Sequence, residues 1–429
     1  MNTVNRLESE VRAYCRAWPT DFAVARGCRL TDVNGRRYLD LFAGAGSLNY
    51  GHNHPVLKAA LIEYLAADGI VHSLDMATVA KERFLDTFDR LILRPRGLRY
   101  KVQFPGPTGT NSVEAALKLA RKVTGRDRIV SFTNSFHGMT LGSLSVTGNS
   151  IKRNGAGLPL GSTVSMPFDG YLGEGVDTLD LFESMVDDAG SGFDRPAAAI
   201  VETVQAEGGI NVASMGWLRR LADVCRRHEM LLIIDDIQVG NGRTGSFFSF
   251  EPAEVVPDIV CLSKSLSGYG LPLAVTLIRP ELDIWAPGEH NGTFRGHNPA
   301  FVTATAALDT FWTSAALAKD VARKGGRIEA GLEQLVQAYP ELHGEVRGRG
   351  MLQGIVCDPP ALAGKVTRAA FDRNVIIETS GIEGQTIKML PPLVIDHEDL
   401  DEGLSVLDLS IADALGVAPR ADLEELAGV

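Results

Sequence analysis

Two apolar runs of the sequence end in residues whose side chains could do covalent and acid–base chemistry. The run LLIIDDIQ ends in Asp235 and Asp236, with Gln238 close behind, and the run DIVCLSKSLSGYG ends at Lys264. A lysine amine can attack an aldehyde and later move a proton, while a carboxylate can keep a ring nitrogen protonated. These are the two groups that bound pyridoxal phosphate requires.

Each of these residues also has an ordinary structural interpretation. A lysine after a buried strand is most often a solvated strand end, and adjacent aspartates usually form a strand cap or a turn. The pair is informative in context, because Asp235 and Lys264 are separated by one sheet crossover and ligand groups collect at the carboxyl ends of strands in open α/β sheets. We therefore predict that they meet at one sheet edge and hold pyridoxal phosphate.

A turn rich in glycine and threonine precedes a helical pattern in FPGPTGTNSVEAALKLARK. Amide groups at such a helix start, together with the Thr110 hydroxyl beside Gly109, could hold a phosphate group. Asn111 and Glu114 have the spacing of a capping box, so an ordinary helix cap is the competing interpretation.

Two further loops offer aromatic or polar groups. SFTNSFHGMT follows a strand pattern and places Phe136 and His137 where an aromatic ring could stack on a flat cofactor. Without the other segments, a buried Phe–His pair would indicate only core packing. EHNGTFRGH supplies Thr293 and Arg295 in a glycine loop that has no other evident role.

The alternation of apolar and helical patterns indicates an α/β fold. Between about residues 102 and 277, strand runs alternate with helical stretches, which is typical of a mostly parallel sheet covered by helices. CRLTDVNGRRYLDL predicts a hairpin around Asn34-Gly35. We predict an N-terminal arm with part of the small domain at residues 1–50, a large cofactor-binding domain at 51–310 and a smaller α+β domain at 311–429.

Composition excludes several classes of function. The chain has 429 residues and a formal net charge of -11, which disfavours a nucleic-acid partner. Five scattered cysteines without a C-x-x-C pair disfavour a disulfide framework and suit a reducing cytoplasm. No apolar run is long enough to predict a membrane span. We predict no metal site, because the histidines lack supporting ligands at suitable spacing. Those histidines are His52, His54, His290 and His297.

From about Asp32 to Asp396, these segments resemble the class III aminotransferases in order and spacing. The resemblance implies a fold-type I transferase, with a large domain on a mostly parallel seven-stranded sheet and a smaller α+β domain. It implies that pyridoxal phosphate is bonded to Lys264, that Asp235 partners the pyridine nitrogen, and that Gln238 lies near the 3-hydroxyl. The remaining implied cofactor residues are Gly109 and Thr110 at the phosphate, Phe136 on the ring, His137 beside it, and Glu202.

The resemblance also has implications for assembly and substrate binding. Thr293 would reach the phosphate of a neighbouring subunit, which implies a homodimer with shared active sites and leaves a dimer of dimers open. Glu207 corresponds to a gating glutamate that pairs with an arginine in relatives, and here TIKMLPPL places Lys388 at the arginine position. Trp18, Arg295 and Lys388 are the candidates for holding the substrate α-carboxylate.

Departures from the family pattern narrow the substrate. Met139 in FHGMT stands where many relatives have an arginine that grips a substrate carboxylate. Together with DDIQ, SKSLSGYGLP and PGEHNGTFRG, this departure is similar to members that act on L-2,4-diaminobutyrate and 2-oxoglutarate in ectoine biosynthesis. Ala206 and His297 differ from that subgroup, so a related pathway stays open. The sequence is also compatible with an ω-aminotransferase for ornithine, lysine or 4-aminobutyrate, with an aminomutase, and with a nonenzymatic cofactor-binding protein.

Overall fold

A seven-stranded sheet forms the centre of the fold in the computed structural model, which describes residues 3–421. All neighbouring strands pair in parallel except those flanking Val275–Ile278, which runs antiparallel to both neighbours. In spatial order the strands are Lys101–Gln103, Val275–Ile278, Ile259–Leu262, Leu231–Asp235, Ala198–Val201, Ile129–Phe132 and Thr163–Met166. The predicted α/β class and mostly parallel sheet are confirmed.

Helices surround this sheet, and several of them bury one apolar face. Met215–Arg227, for example, buries Leu218, Leu221 and Cys225, which lie on one face of the helix. The central strands are buried on both faces, so they appear in the sequence as continuous apolar runs. The helices around the sheet and its margins are Pro55–Ala66, Val79–Phe88, Gly109–Thr124, Thr178–Asp187, Met215–Arg227 and Asn298–Phe311.

Two smaller sheets lie outside the central sheet. One joins the N-terminal strands Phe22–Arg26, Arg29–Asp32 and Arg37–Asp40 to Val375–Ile376, and it contains the predicted hairpin at Asn34-Gly35. The other is antiparallel and contains Glu345–Arg349, Leu352–Val356, Thr386–Met389 and Glu378–Ser380. Helices Ala316–Ala338, Ala361–Asp372 and His397–Leu415 complete this part of the chain.

The proposed division at residues 50 and 310 stays a prediction, and the parts of it at residues 1–2 and 422–429 lie outside the described residues. The pairing of Val375–Ile376 with Arg37–Asp40 is compatible with an N-terminal segment that shares the small domain. Within residues 3–421, no helix is both long enough and apolar enough to cross a membrane.

The capping of helix Gly109–Thr124 differs from the expectation. Thr108 is the N-cap, and it forms the capping box with Asn111, whose Oδ1 accepts the Thr108 backbone N–H at 3.2 Å. The predicted Asn111–Glu114 box was therefore wrong, because Gly109 and Thr110 already belong to the first helical turn. Glu114 instead accepts the Ser143 backbone N–H at 3.0 Å.

Candidate active site

Lys264 and Asp235 lie at the carboxyl ends of adjacent parallel strands, Ile259–Leu262 and Leu231–Asp235. Lys264 begins the short turn Lys264–Ser267 with a φ of +50°, a left-handed conformation that is uncommon for a residue with a Cβ. Such a conformation costs of order 1–3 kcal/mol and persists where the surroundings impose it. The two residues therefore meet at one sheet edge.

A cavity of about 180 Å³ opens at this edge. Most of the residues that line it lie in the segments after the carboxyl ends of central strands, so residues far apart in the chain face one volume. The lining residues are Gly109, Thr110, Phe136, His137, Gly138, Glu202, Glu207, Asp235, Ile237, Gln238, Val239 and Lys264.

A buried carboxylate–imidazole pair forms the floor of the site. Asp235 Oδ2 lies 2.7 Å from His137 Nδ1, and both residues are almost fully buried. The backbone N–H of Ile237 donates to Asp235 Oδ1 at 3.2 Å. These contacts fix the carboxylate in one orientation, so it can hold a positively charged N–H group of a bound molecule.

The amine of Lys264 is buried and easily deprotonated. Its Nζ donates to the Ala45 carbonyl oxygen at 2.8 Å. Burial lowers the pKa of Lys264 to about 8, although the charge of Glu207 acts in the opposite direction. A useful fraction of the amine is therefore neutral at mild pH, which a nucleophile or proton acceptor requires.

Glu202 links the aromatic residue of the cavity to its acidic floor. Glu202 Oε2 accepts the Phe136 backbone N–H at 2.9 Å. Burial and the nearby charge of Asp235 raise the pKa of Glu202 well above its ordinary value. Its carboxyl group therefore tends to keep a proton, and it can then act as a hydrogen-bond donor inside the cavity.

Hydroxyl groups crowd around the start of helix Gly109–Thr124. Thr110 Oγ1 lies 2.7 Å from Thr140 Oγ1 and 2.6 Å from Ser143 Oγ. Gly138 has a φ of +132°, and a Cβ there would stand 2.5 Å from Thr110 Oγ1. The helix start thus combines orphan amide groups with hydroxyl donors, an arrangement that suits an oxyanion.

Three charged side chains form a network next to Gln238, whose Nε2 donates to Glu207 Oε1 at 3.2 Å. Lys388 Nζ lies 2.8 Å from Glu207 Oε1 and 2.7 Å from Glu378 Oε1, and the Lys388 side chain is fully buried. Burial alone would lower the pKa of Lys388, but the two carboxylates raise it. Burial alone would raise the pKa of Glu207, but the charges of Lys388 and Lys264 lower it to about 2. Lys388 and Glu207 are therefore a stable ion pair.

The polar groups of the cavity fit pyridoxal phosphate. The structure offers a buried amine for the aldehyde, a buried carboxylate for the ring nitrogen, and a helix start for the phosphate. In addition, His137 Nε2 and Gln238 Oε1 are buried and have no hydrogen-bond partner anywhere in residues 3–421. Buried polar atoms are rarely left unpaired, so these two atoms are available to a bound molecule.

Comparison with known proteins gives the same family as the resemblance in the sequence. The sequence model described as Aminotransferase class-III matches residues 15–411. The chain belongs to the class-III aminotransferases. These enzymes use pyridoxal phosphate, and their substrates are an amine donor and a 2-oxo acid.

The chain is similar to curated class-III aminotransferases over nearly its full length. It is 59% identical over 411 residues to a diaminobutyrate--2-oxoglutarate transaminase from Halalkalibacterium halodurans, covering 96% of each chain. It is 55% identical over 415 residues to the enzyme of that name from Virgibacillus pantothenticus, covering 97% of this chain and 100% of the relative. The solved structure of ornithine aminotransferase from Toxoplasma gondii matches with a TM-score of 0.83 at 27% identity, covering 96% and 93%.

Four predicted residues of this class-III aminotransferase lie outside the cavity walls. Lys388 does not line the cofactor cavity, but it contacts Glu207, which does. Trp18 lines a separate cavity with Tyr14 and Glu378. Thr293 and Arg295 belong to an exposed loop, where Arg295 lines a third cavity and the Thr293 carbonyl accepts from His72 Nε2 at 2.6 Å.

Two charged residues of the site were missed in the sequence analysis. Glu378 lies in an ordinary strand pattern, VIIETS, and only its contact with Lys388 gives it significance. Lys152 lies in a polar segment, and its Nζ is 4.1 Å from the centroid of the Phe136 ring. The one available signal was chemical: the resemblance places an arginine at the position of Met139, so a positive charge expected there is missing.

Proposed function

We propose that this aminotransferase moves the 4-amino group of L-2,4-diaminobutyrate to 2-oxoglutarate, giving aspartate 4-semialdehyde and glutamate. In the cell the reaction would run toward diaminobutyrate, for ectoine or a related product. The observation that carries this assignment is the near full-length identity, 55% and 59%, to two relatives that bear the name of this reaction. The geometry of the cavity supports the chemistry of amino transfer.

Cofactor binding would use the residues that share the cavity. Lys264 would attach pyridoxal phosphate and Asp235 would hold the proton of the ring nitrogen. His137 keeps Asp235 in position through the 2.7 Å contact. Gly109 and Thr110 would contact the phosphate, and Phe136 would stack on the ring. Gln238 would form a hydrogen bond near the 3-hydroxyl, with Glu202 beside it.

Proton transfer in the reaction is assigned to Lys264. Bound pyridoxal phosphate supplies an electron sink for the carbon that loses a proton. The Lys264 amine would remove that proton from C4 of diaminobutyrate and return it to the bound cofactor, and the same amine would serve 2-oxoglutarate in the reverse order. Its pKa of about 8 suits both directions, because neither protonation state is strongly disfavoured near the working pH.

Substrate exchange would use the ion pair of Glu207 and Lys388. Diaminobutyrate carries an α-ammonium group, whereas 2-oxoglutarate carries a carboxylate on the reacting carbon. Glu207 faces the cavity and can attract the ammonium group, and Lys388 can attract the carboxylate when Glu207 turns away. Lysine keeps the positive charge of the family arginine but loses its two-pronged geometry.

A homodimer with shared sites is part of the proposal, with a dimer of dimers as a further option. Thr293 is exposed, and apolar side chains are exposed in the neighbouring segment 70–76, which contacts it through His72. Exposed apolar patches of this kind commonly mark interfaces. The exposed residues are Ile70, Val71, Leu74, Met76 and Phe294. We also place the enzyme in the cytoplasm, in keeping with its free cysteines.

A donor panel tests this function. The cofactor-loaded enzyme is assayed with 2-oxoglutarate and diaminobutyrate, ornithine, lysine or 4-aminobutyrate, and we expect the highest kcat/KM for diaminobutyrate. Lys264→Ala should lose multiple turnover while its circular dichroism spectrum stays native. A preference for another donor would change the substrate assignment. Product formation without a 2-oxo acid would indicate an aminomutase, and retained turnover in Lys264→Ala would refute the mechanism.

A further inference from the structure

The site lacks an evident receptor for the substrate carboxylate that is remote from the reacting carbon. Met139, at the position of the family arginine, is uncharged and its side chain is exposed. Lys264 is needed for the cofactor, and Lys388 is flanked by Glu207 and Glu378. Arg295 lines a different cavity of the same subunit. Both proposed substrates nevertheless carry carboxylates, and a buried or half-buried carboxylate needs a cation.

Lys152 is a cation beside the cofactor cavity that has no anionic partner of its own. It lies in the short helix Ser150–Arg153 and is half-buried. Its Nζ stands 4.1 Å from the centroid of the Phe136 ring, and no carboxylate pairs with it in the described part of the chain. A cation–π contact is weaker than a charge-assisted hydrogen bond, so an arriving anion can recruit this ammonium group.

The position of Lys152 connects it with the place where substrate must lie. A further, smaller cavity of about 20 Å³ adjoins the cofactor cavity, and Phe136 and Glu207 line both. Lys152, Asn149 and Gly208 are among its other lining residues. The charge of Lys152 also contributes to the lowered pKa of Glu207, so the two groups are close enough to interact.

The chemistry of the two substrates calls for one receptor at one distance. In diaminobutyrate the reacting carbon is C4 and the carboxylate is C1; in 2-oxoglutarate the reacting carbon is C2 and the remote carboxylate is C5. The same number of carbon–carbon bonds separates the two groups in both molecules. A single cation at a set distance from the reacting carbon can therefore serve both half-reactions.

We propose that Lys152 binds the substrate carboxylate remote from the reacting carbon in both half-reactions. It would thereby replace the family arginine, whose position is occupied by Met139 in this chain. This inference rests on the proposed function. Lys152 would be a specificity-determining residue, and it would have no part in cofactor attachment or proton transfer.

Binding of a nonreacting dicarboxylate gives the most direct test. Glutarate lacks a carbonyl and cannot accept an amino group, so its affinity is measured by titrating the absorbance of the cofactor-loaded enzyme. We expect Lys152→Met to weaken glutarate binding about 10- to 100-fold, the usual effect of losing a hydrogen bond to a charged group. Lys152→Arg should restore much of the affinity. Lys365→Met, an exposed lysine in helix Ala361–Asp372, is the matched control and should behave as wild type.

Kinetics with paired donors separate this inference from the proposed function. Compared with diaminobutyrate, 1,3-diaminopropane has the same reacting end and no carboxylate. Lys152→Met should lower kcat/KM about 10- to 100-fold for diaminobutyrate, chiefly through KM, and leave 1,3-diaminopropane unchanged. The inference is wrong if the wild type uses diaminobutyrate and Lys152→Met keeps both the wild-type preference for diaminobutyrate over 1,3-diaminopropane and the wild-type affinity for glutarate. If wild type rejects diaminobutyrate, the proposed function fails, and unchanged glutarate affinity in Lys152→Met would overturn the inference independently.

Discussion

Replacing Lys388 by methionine should destabilise the folded protein, because this lysine neutralises two buried carboxylates. Its own side chain is fully buried, and those of Glu207 and Glu378 are 19% and 8% exposed. The pKa of Glu207 is lowered from 4.5 to about 2. That shift corresponds to about 3 kcal/mol in favour of the charged form, which agrees with the roughly 3–5 kcal/mol usually lost when one partner of a buried pair is removed.

The destabilisation should depend on pH in a defined direction. In wild type, the lowered pKa of Glu207 contributes stability above pH 4.5 that is lost as pH falls toward 2. Without Lys388, burial would raise the pKa of Glu207 above its unfolded value. Burial already raises the pKa of Glu378, and losing Lys388, which lowers it, would raise it further. Stability would then be lost as pH rises and regained as the carboxyl groups become protonated. We therefore expect a difference of about 3 kcal/mol at pH 8 that shrinks toward pH 5.

Urea unfolding of the cofactor-loaded protein, at one fixed protein concentration, measures this difference. Lys365→Met serves as the control, since an exposed lysine should change the free energy of unfolding by less than about 0.5 kcal/mol. The double variant Lys388→Met/Glu207→Gln should regain part of the stability at pH 8. A Lys388→Met variant that unfolds like the control at pH 8, or whose loss is the same at both pH values, would refute the electrostatic account.

Two further predictions concern the cofactor. Reconstitution of the cofactor-free protein with pyridoxal phosphate should accelerate as pH rises through about 8, because the neutral Lys264 amine is the nucleophile. Stopped-flow absorbance measures the rate, and a rate–pH curve with its midpoint near 10.5 would contradict the lowered pKa of Lys264. Gly138→Ala should weaken retention of the cofactor in equilibrium dialysis, because the new Cβ would stand 2.5 Å from Thr110 Oγ1. Gly157→Ala is its control, with a φ of +71° and no atom within 4 Å of a Cβ; equal retention in both variants would exclude a steric role for Gly138.

Much of the fold was predictable because its signals are local. Apolar runs correspond to the buried strands Leu231–Asp235 and Ile259–Leu262, and helical spacing corresponds to Met215–Arg227. The meeting of Asp235 and Lys264 was predictable too, because parallel strands of one sheet present their carboxyl ends at the same edge. Helix ends were less accurate, as the capping box at Thr108 shows, since several nearby residues could serve as the cap.

By itself, the sequence determined the α/β class, the pairing of a nucleophilic lysine with a strand-end carboxylate, and the family resemblance. Only the tertiary structure decided how charges are paired around the substrate. Lys388 lies between Glu207 and Glu378, and Lys152 rests on Phe136 without an anionic partner in residues 3–421. The physical reason is that strand and helix patterns depend on neighbours in the chain, whereas a charge takes its partner from whichever elements pack against it.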